Sequence, residues 1–407
     1  MNKQVYPWVL VGLLSFNFGV VYFDRNTINF LMPLIQPELH LTNSQIGLLG
    51  SVLGASWALA GFGIGRLSDA TGQRKLLLVI CALIFSAASV LQGWAEGFAM
   101  LVATRILMGF AEGGVMPISQ ALIAAEVDPA RRGLAMGITQ NFAANLLSNF
   151  LGPIVVVAIG TAFGWRRAFY LAGIPGVIAA LLMLWLIREP TREEKAQQEA
   201  AVAPAGSGAW KHRNVSLCVI LSVLLVAFVV VFAIFMPLYL VNVRHLSNGA
   251  MSWLMSMFGL TSMGFAFLVP GSSDVLGRRP VVISMSLIGA LIPLSALYVD
   301  QPLWLVFVLF GLGAAVSGAF PLVMATIPSE TVPPHQLATV LGLTMGFGEI
   351  IGGVFTPYFA GWAADSYGLQ ATLWILIGLS AITCLLACFI QETAPRVLHR
   401  RVVVEPV

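Results

Sequence analysis

The sequence predicts an all-α membrane protein: twelve transmembrane helices in two six-helix bundles, with both termini cytoplasmic. Three observations carry this. The 407 residues are 58% hydrophobic and only 10% charged, with a mean hydropathy of +0.89, far from the roughly 25% charge of a soluble domain. Crossing about 30 Å of hydrocarbon takes about 20 apolar residues, and twelve such runs occur, six before residue 189 and six after residue 213. Basic residues then fall on one side: 16 Lys and Arg lie in the termini and one alternate set of loops, against Arg166, Arg167 and Arg244 in the other. Cytoplasmic loops accumulate such residues.

Taken in order, the first run (7–36) is too long, and too charged in its interior, to read as a cleavable signal. Runs at 43–67, 75–95, 97–126, 132–158 and 166–188 complete an N-terminal bundle over 1–188. Residues 189–213 contain Glu193, Glu194, Lys195, Gln197, Gln198 and a stretch of Ala, Pro, Gly and Ser at 203–208. Low hydrophobicity with mixed charge suits a cytoplasmic linker. Runs at 216–243, 248–270, 280–299, 302–327, 336–363 and 371–391 form the second bundle, 214–407, with its short tail. Cys81, Cys218, Cys384 and Cys388 lie in or beside apolar runs without metal-site spacing and read as small core residues.

Four ionisable side chains interrupt the first bundle: Asp24 and Arg25 in the first helix, Arg105 and Glu112 in the fourth. A charge at the bilayer centre costs about 3 kcal/mol or more, so each is expected to face a cavity or a partner. At 1.5 Å per residue, Asp24 lies roughly 24 Å along the helix from Trp8, and Arg105 is reached roughly 10 Å into a helix running the other way. Both therefore sit at similar depth, and an Asp24–Arg105 pair is geometrically open. Glu112 follows Arg105 by two turns on the same face, near mid-membrane. Tyr22 and Arg25 project to one side of the first helix, with Asp24 turned about 100° away.

These residue types divide the work. Arg25 keeps its charge at ordinary pH and offers a planar fork of donors suited to a carboxylate, to which Tyr22 adds a hydroxyl. Glu112, among Gly109, Gly113 and Gly114, is the candidate proton carrier, while Asp24 has the two cations Arg25 and Arg105 within reach. The alternative reading of Asp24 with Arg105 is a clamp between helices, and that of Gly109 and Gly113 is small-residue helix packing. Gln140, Asn141 and Asn145 in the fifth helix, with Tyr239, Ser317, Thr344 and Tyr358 in the second bundle, are the polar candidates for selectivity. Glu349, inside the eleventh helix, is either a second protonation site or a neutral hydrogen-bonded acid. His40, His245 and His399 lie near loops and are expected to be solvated.

The chain also repeats itself. Ser68-Asp69-Ala70-Thr71-Gly72-Gln73-Arg74 after the second helix returns as Ser273-Asp274-Val275-Leu276-Gly277-Arg278-Arg279 after the eighth. Gly114 and Pro117 return as Gly318 and Pro321, and Pro153 as Pro357, while Val316 stands where Glu112 does. Two parallel halves, a central linker and this loop resemble the major facilitator superfamily, although the second copy begins with Pro270 where glycine is usual. The resemblance implies a monomeric carrier working by alternating access, with Asp69, Arg74, Asp274 and Arg279 as a gating latch; otherwise these residues only make tight turns and set topology.

Within that superfamily, Tyr22-Phe23-Asp24-Arg25, Arg105 with Glu112, and Glu392-Thr393-Ala394-Pro395-Arg396 after the last helix are similar to the anion:cation symporters of hexuronates, galactonate, sialic acid and aromatic acids. That likeness implies that Arg25 and Tyr22 bind the substrate carboxylate and that Asp24, Glu112 and Arg105 couple protons. The expected function is proton-coupled symport of a small organic anion across a bacterial inner membrane. A proton-driven drug exporter is the alternative, weakened because Ile154-Val155-Val156-Val157 follows Gly152-Pro153 where such antiporters have further glycine. Spinster-like lysolipid transport is another, since that group also shows Asp-Arg in its first helix and Arg and Glu in its fourth. An intramembrane enzyme or ATP-driven pump lacks its motifs: no His-Glu-x-x-His, Gly-x-Ser-x-Gly or Gly-Lys-Ser/Thr phosphate loop occurs. No nucleic acid is expected, because the net charge of +3 is accounted for by the loop bias, and no metal or cofactor is expected, because no metal-site spacing or cofactor motif occurs.

Overall fold

The structure, a computed structural model, describes residues 5–128, 131–188, 212–333 and 336–397, and the side chains of all of these except Asp69 and Ala338. The predicted linker lies almost wholly outside the described residues, as do His399, Arg400 and Arg401. Among the described residues, twelve helices are long and apolar enough to span a membrane: α1 (Tyr6–Leu39), α2 (Asn43–Ser68), α3 (Arg74–Gly93), α4 (Phe98–Glu126), α5 (Arg132–Phe163), α6 (Trp165–Leu186), α7 (Arg213–Asn242), α8 (Asn248–Leu276), α9 (Arg278–Tyr298), α10 (Leu303–Thr331), α11 (Thr339–Tyr367) and α12 (Gln370–Ala387). The chain is therefore a multi-pass membrane protein. It divides into two compact units, Met1–Ala203 with His245–Ser256, and Pro204–Arg244 with Met257–Val407.

In the first unit, α1 opens with Pro7 in its first turn, where a missing N–H does no harm. The Thr42 side chain accepts from the backbone of Gln45, whose own side chain accepts from Thr42, so α2 starts on a capping box. Glu38 near the end of α1 accepts from Trp165 Nε1 at 2.6 Å and pairs with Arg166, both at the start of α6. Close approach of α2 to α4 depends on small residues: a Cβ on Gly113 would collide with the Trp57 carbonyl oxygen, and one on Gly109 with Ser56 Oγ. The small-residue packing expected of these two positions is thus present, and it brings α4 against α2 at the turn that carries Glu112.

The internal repeat reappears in backbone geometry. Helix α5 widens to π-type hydrogen bonding over Ala144–Leu151, and α11 does so over Gly348–Phe355, the same eight positions in each copy. Pro153 and Pro357 follow. A proline has no N–H for the carbonyl four residues before it, and a local change of hydrogen-bond register absorbs the vacancy. Side chains of α5 also bond to its carbonyls just ahead of this wider stretch, Asn141 Nδ2 donating to Gly137 at 3.2 Å and Asn145 Nδ2 to Asn141 at 3.0 Å.

In the second unit, Gly277 has φ +104° and a Cβ there would lie 2.5 Å from Glu392 Oε2, so only glycine fits. Glu392, beyond α12, covers the start of α9: Oε1 accepts from the backbone N–H of Arg278 at 2.7 Å and Oε2 from that of Arg279 at 3.2 Å. Thr393 and Ala394 donate their own backbone N–H groups to Oε1 at 3.1 and 2.9 Å.

Candidate functional site

The four charges singled out in the sequence do come together in the first unit, with a different pairing from the one the depths left open. Arg25 Nε donates to Glu112 Oε2 at 2.8 Å, an ion pair in which the Glu112 side chain is fully buried and that of Arg25 is 17% exposed. Asp24 does not reach Arg105. Its Oδ1 instead accepts from Ser89 Oγ of α3 at 2.5 Å, because successive residues on a helix point about 100° apart and α3 covers that side. Arg105 turns its fork to the backbone carbonyl of Arg25, both Nη atoms lying 3.0 Å from it. One arginine thus grips the main chain at the residue whose side chain holds the acid.

Aromatic rings complete the surroundings of Arg25. Its guanidinium carbon lies 5.1 Å from the Tyr22 ring centroid and 5.6 Å from that of Trp57, within the range of cation–π attraction. Tyr22 is also fixed through its main chain, whose carbonyl accepts from Ser148 Oγ of α5 at 2.8 Å. Asp24 Oδ2 and Glu112 Oε1 have no hydrogen-bond partner among the described residues. Trp57, Ser89 and Ser148 escaped the sequence reading: single serines and tryptophans are common in spanning helices, and nothing in their spacing tied them to the charges.

The remaining candidates are more scattered. Gln140 is half-buried and lines a small cavity with Phe18, Ser119 and Thr139, while Asn141 and Asn145 serve carbonyls of their own helix. In the second unit Tyr239 is buried and Tyr358 is exposed, packed edge-on to Phe359. Ser317 Oγ donates to the Ala314 carbonyl at 2.7 Å and Thr344 Oγ1 to the Met324 carbonyl at 3.1 Å, both main-chain contacts. Glu349 lies half-buried in the wide turn of α11. Val316 is buried, so the position matched to Glu112 carries no charge.

In the repeated loop, Asp274 pairs with Arg278 at 2.7 Å, and Arg278 Nη2 also reaches Glu330 of α10 at 2.8 Å. Arg279, the residue named from sequence, contributes only its backbone N–H. The second copy lacks the residue that Gln73 supplies between glycine and helix start, so Arg278 is the first residue of α9 as Arg74 is of α3. Both are buried. The side chain of Asp69 lies outside the described ones.

The sequence profile of the Major Facilitator Superfamily matches residues 14–269 and 231–403. The chain belongs to the major facilitator superfamily. This superfamily member is similar to the probable 4-methylmuconolactone transporter of Cupriavidus pinatubonensis, 28% identical over 81% of this chain and 78% of that one. It is 29% identical to the hexuronate transporter of Bacillus subtilis over 95% of this chain and 94% of that one. The multidrug resistance protein MdtL of Salmonella heidelberg is 25% identical over 87% of this chain and 88% of that one. Among solved structures, a D-xylose-proton symporter superposes with a TM-score of 0.74 at 17% identity, covering 95% of this chain and 99% of that one; at that identity the likeness is one of fold. The relatives are transporters, and the major facilitator fold is a transporter fold, not an enzyme's.

Proposed function

We propose that this chain is a secondary transporter that moves a small organic anion, a sugar acid or aromatic carboxylate, together with protons by alternating access. The observation that carries the reading is the buried ion pair between Arg25 and Glu112, whose arginine alone retains exposure. An ionised Glu112 holds the guanidinium and competes with any incoming carboxylate. A proton on Glu112 removes that competitor for the Arg25 guanidinium and favours its contact with a substrate carboxylate. Proton and anion therefore favour one another, and the favour is reciprocal by linkage. Tyr22 and Trp57 flank the arginine and suit the apolar part of a substrate.

In this reading Asp24, closed against Ser89, is a second proton site and Arg105 a positioning residue that fixes the first helix where the anion binds. Gln140, Asn141 and Asn145, with Tyr239 and Tyr358, shape selectivity, and Glu349 is a further protonation site. Asp69, Arg74, Asp274 and Arg278 with Arg279 form the gating loops. The carrier works as a monomer in a bacterial inner membrane, basic loops inward. Similarity to the hexuronate transporter over nearly the whole chain supports an anionic substrate.

Uptake into proteoliposomes under an inward proton gradient tests this. Wild-type protein accumulates a labelled hexuronate or benzoate, and neutral analogues fail to compete. Arg25→Ala lowers uptake roughly a hundredfold, as removal of a desolvated charge partner worth about 3 kcal/mol would. Glu112→Gln abolishes accumulation but retains exchange of the anion down its own gradient. Gradient-driven accumulation that persists in Glu112→Gln rejects the proton assignment. A proton-driven exporter is the second reading, favoured by the similarity to MdtL; it requires that an opposed gradient expel substrate, with no accumulation of the anion.

A further inference from the structure

A cavity of about 560 Å³ opens in the second unit where four spanning helices end, lined by Arg213, Leu276, Arg279, Ile283, Phe389 and Glu392 among others. Arg213 is the first residue of α7, Leu276 the last of α8, and Arg279 stands in the first turn of α9. The site therefore lies at a membrane boundary, on the side to which the sequence assigns the basic loops. Its two arginines are exposed. The Arg279 guanidinium makes no hydrogen bond or ion pair among the described residues, and that of Arg213 only stacks over Phe389 at 6.0 Å. The one acid in the lining, Glu392, has both oxygens occupied by the four backbone N–H groups described above. Its carboxylate serves the start of α9 and leaves both guanidinium groups unneutralised. Apart from Gln391 the rest of the wall is apolar, and Leu276 and Phe389 in it are open, 64% and 56% exposed.

We propose that this cavity binds an anionic phospholipid, with the headgroup phosphate between Arg213 and Arg279 and an acyl chain along Leu276, Ile283 and Phe389. Guanidinium groups match phosphate oxygens bidentately, and basic pockets at the cytoplasmic ends of spanning helices suit anionic headgroups. A water-soluble phosphate would use the arginines but gain nothing from the exposed apolar side chains of Leu276, Ile283 and Phe389 beside them. The site is separate from the charges at Arg25 and Glu112, so its occupation stands or falls independently of the transport reading.

Native mass spectrometry of the purified full chain, with phosphatidylglycerol, phosphatidylcholine and inorganic phosphate added in turn, tests the site. Phosphatidylglycerol is expected to remain bound to the wild type, and Arg213→Ala with Arg279→Ala to weaken it roughly thirtyfold, about 2 kcal/mol at 1.4 kcal/mol per tenfold. The lysine pair Arg213→Lys with Arg279→Lys keeps the charge but loses the bidentate fork, and is expected to bind between the wild type and the alanine pair, which separates loss of charge from loss of fold. Equal retention of phosphatidylcholine, or undiminished phosphatidylglycerol binding in the alanine pair, overturns the proposal. Displacement of the lipid by millimolar inorganic phosphate also overturns it and assigns the arginines to a soluble anion.

Discussion

At the scale of single residues, the chemistry rests on which acid meets which base. Composition and depth marked Asp24, Arg25, Arg105 and Glu112 as expensive to immerse, and that much follows from sequence. The pairing of Arg25 with Glu112 and of Asp24 with Ser89 depends on side-chain direction, which spacing along one helix constrains but does not settle across three. Removing one member of a buried pair strands the other charge at about 3–5 kcal/mol, whereas replacing both with apolar residues of similar size is close to neutral. Glu112→Ala is therefore expected to lower the thermal unfolding temperature of the purified protein markedly. The double change Arg25→Met with Glu112→Leu recovers most of that loss. Additive losses in such a cycle would mean that the two side chains do not interact.

At the scale of elements, α2 and α4 touch through glycine beside the site. A Cβ on Gly113 would run into the Trp57 carbonyl oxygen and meet Ala60 Cβ at 2.8 Å, while one on Gly12 of α1 meets nothing within 4 Å. Gly113→Leu must push α2 away, at the about 1–3 kcal/mol typical of overpacking. It is also expected to weaken substrate binding, since Trp57 of α2 and Glu112 of α4 both neighbour Arg25. Gly12→Ala leaves both melting temperature and transport unchanged. If the two variants melt alike, the close contact is not structural. The spacing of Gly109 and Gly113 announced this contact in the sequence. The π-type turns of α5 and α11 were not announced, because Pro153 and Pro357 mark a vacancy without saying whether the helix will kink, break or widen to absorb it.

At the scale of the whole molecule, twelve spans and the repeat follow from hydropathy and from the recurrence of Asp69 and Gly72 as Asp274 and Gly277. Orientation is the global property that basic loops predict most directly, and it is open to measurement. In a background with the four native cysteines replaced by serine, Gln73→Cys is expected to react with a membrane-impermeant maleimide only from the cytoplasmic side. Arg167→Cys, exposed at the start of α6, reacts only from the opposite side. The reverse pattern would invert the topology and with it the side on which Arg213 and Arg279 meet lipid.

The sequence by itself determined the fold class, the number of spans and the identity of the costly charges, because each depends on sums over local composition that the bilayer reads one helix at a time. Only the tertiary structure decided their partners: Ser89 for Asp24, the Arg25 carbonyl for Arg105, and Arg278 rather than Arg279 for Asp274. Those contacts join residues distant in the chain, and a shift of one position in a loop or about 100° around a helix is enough to exchange one partner for another.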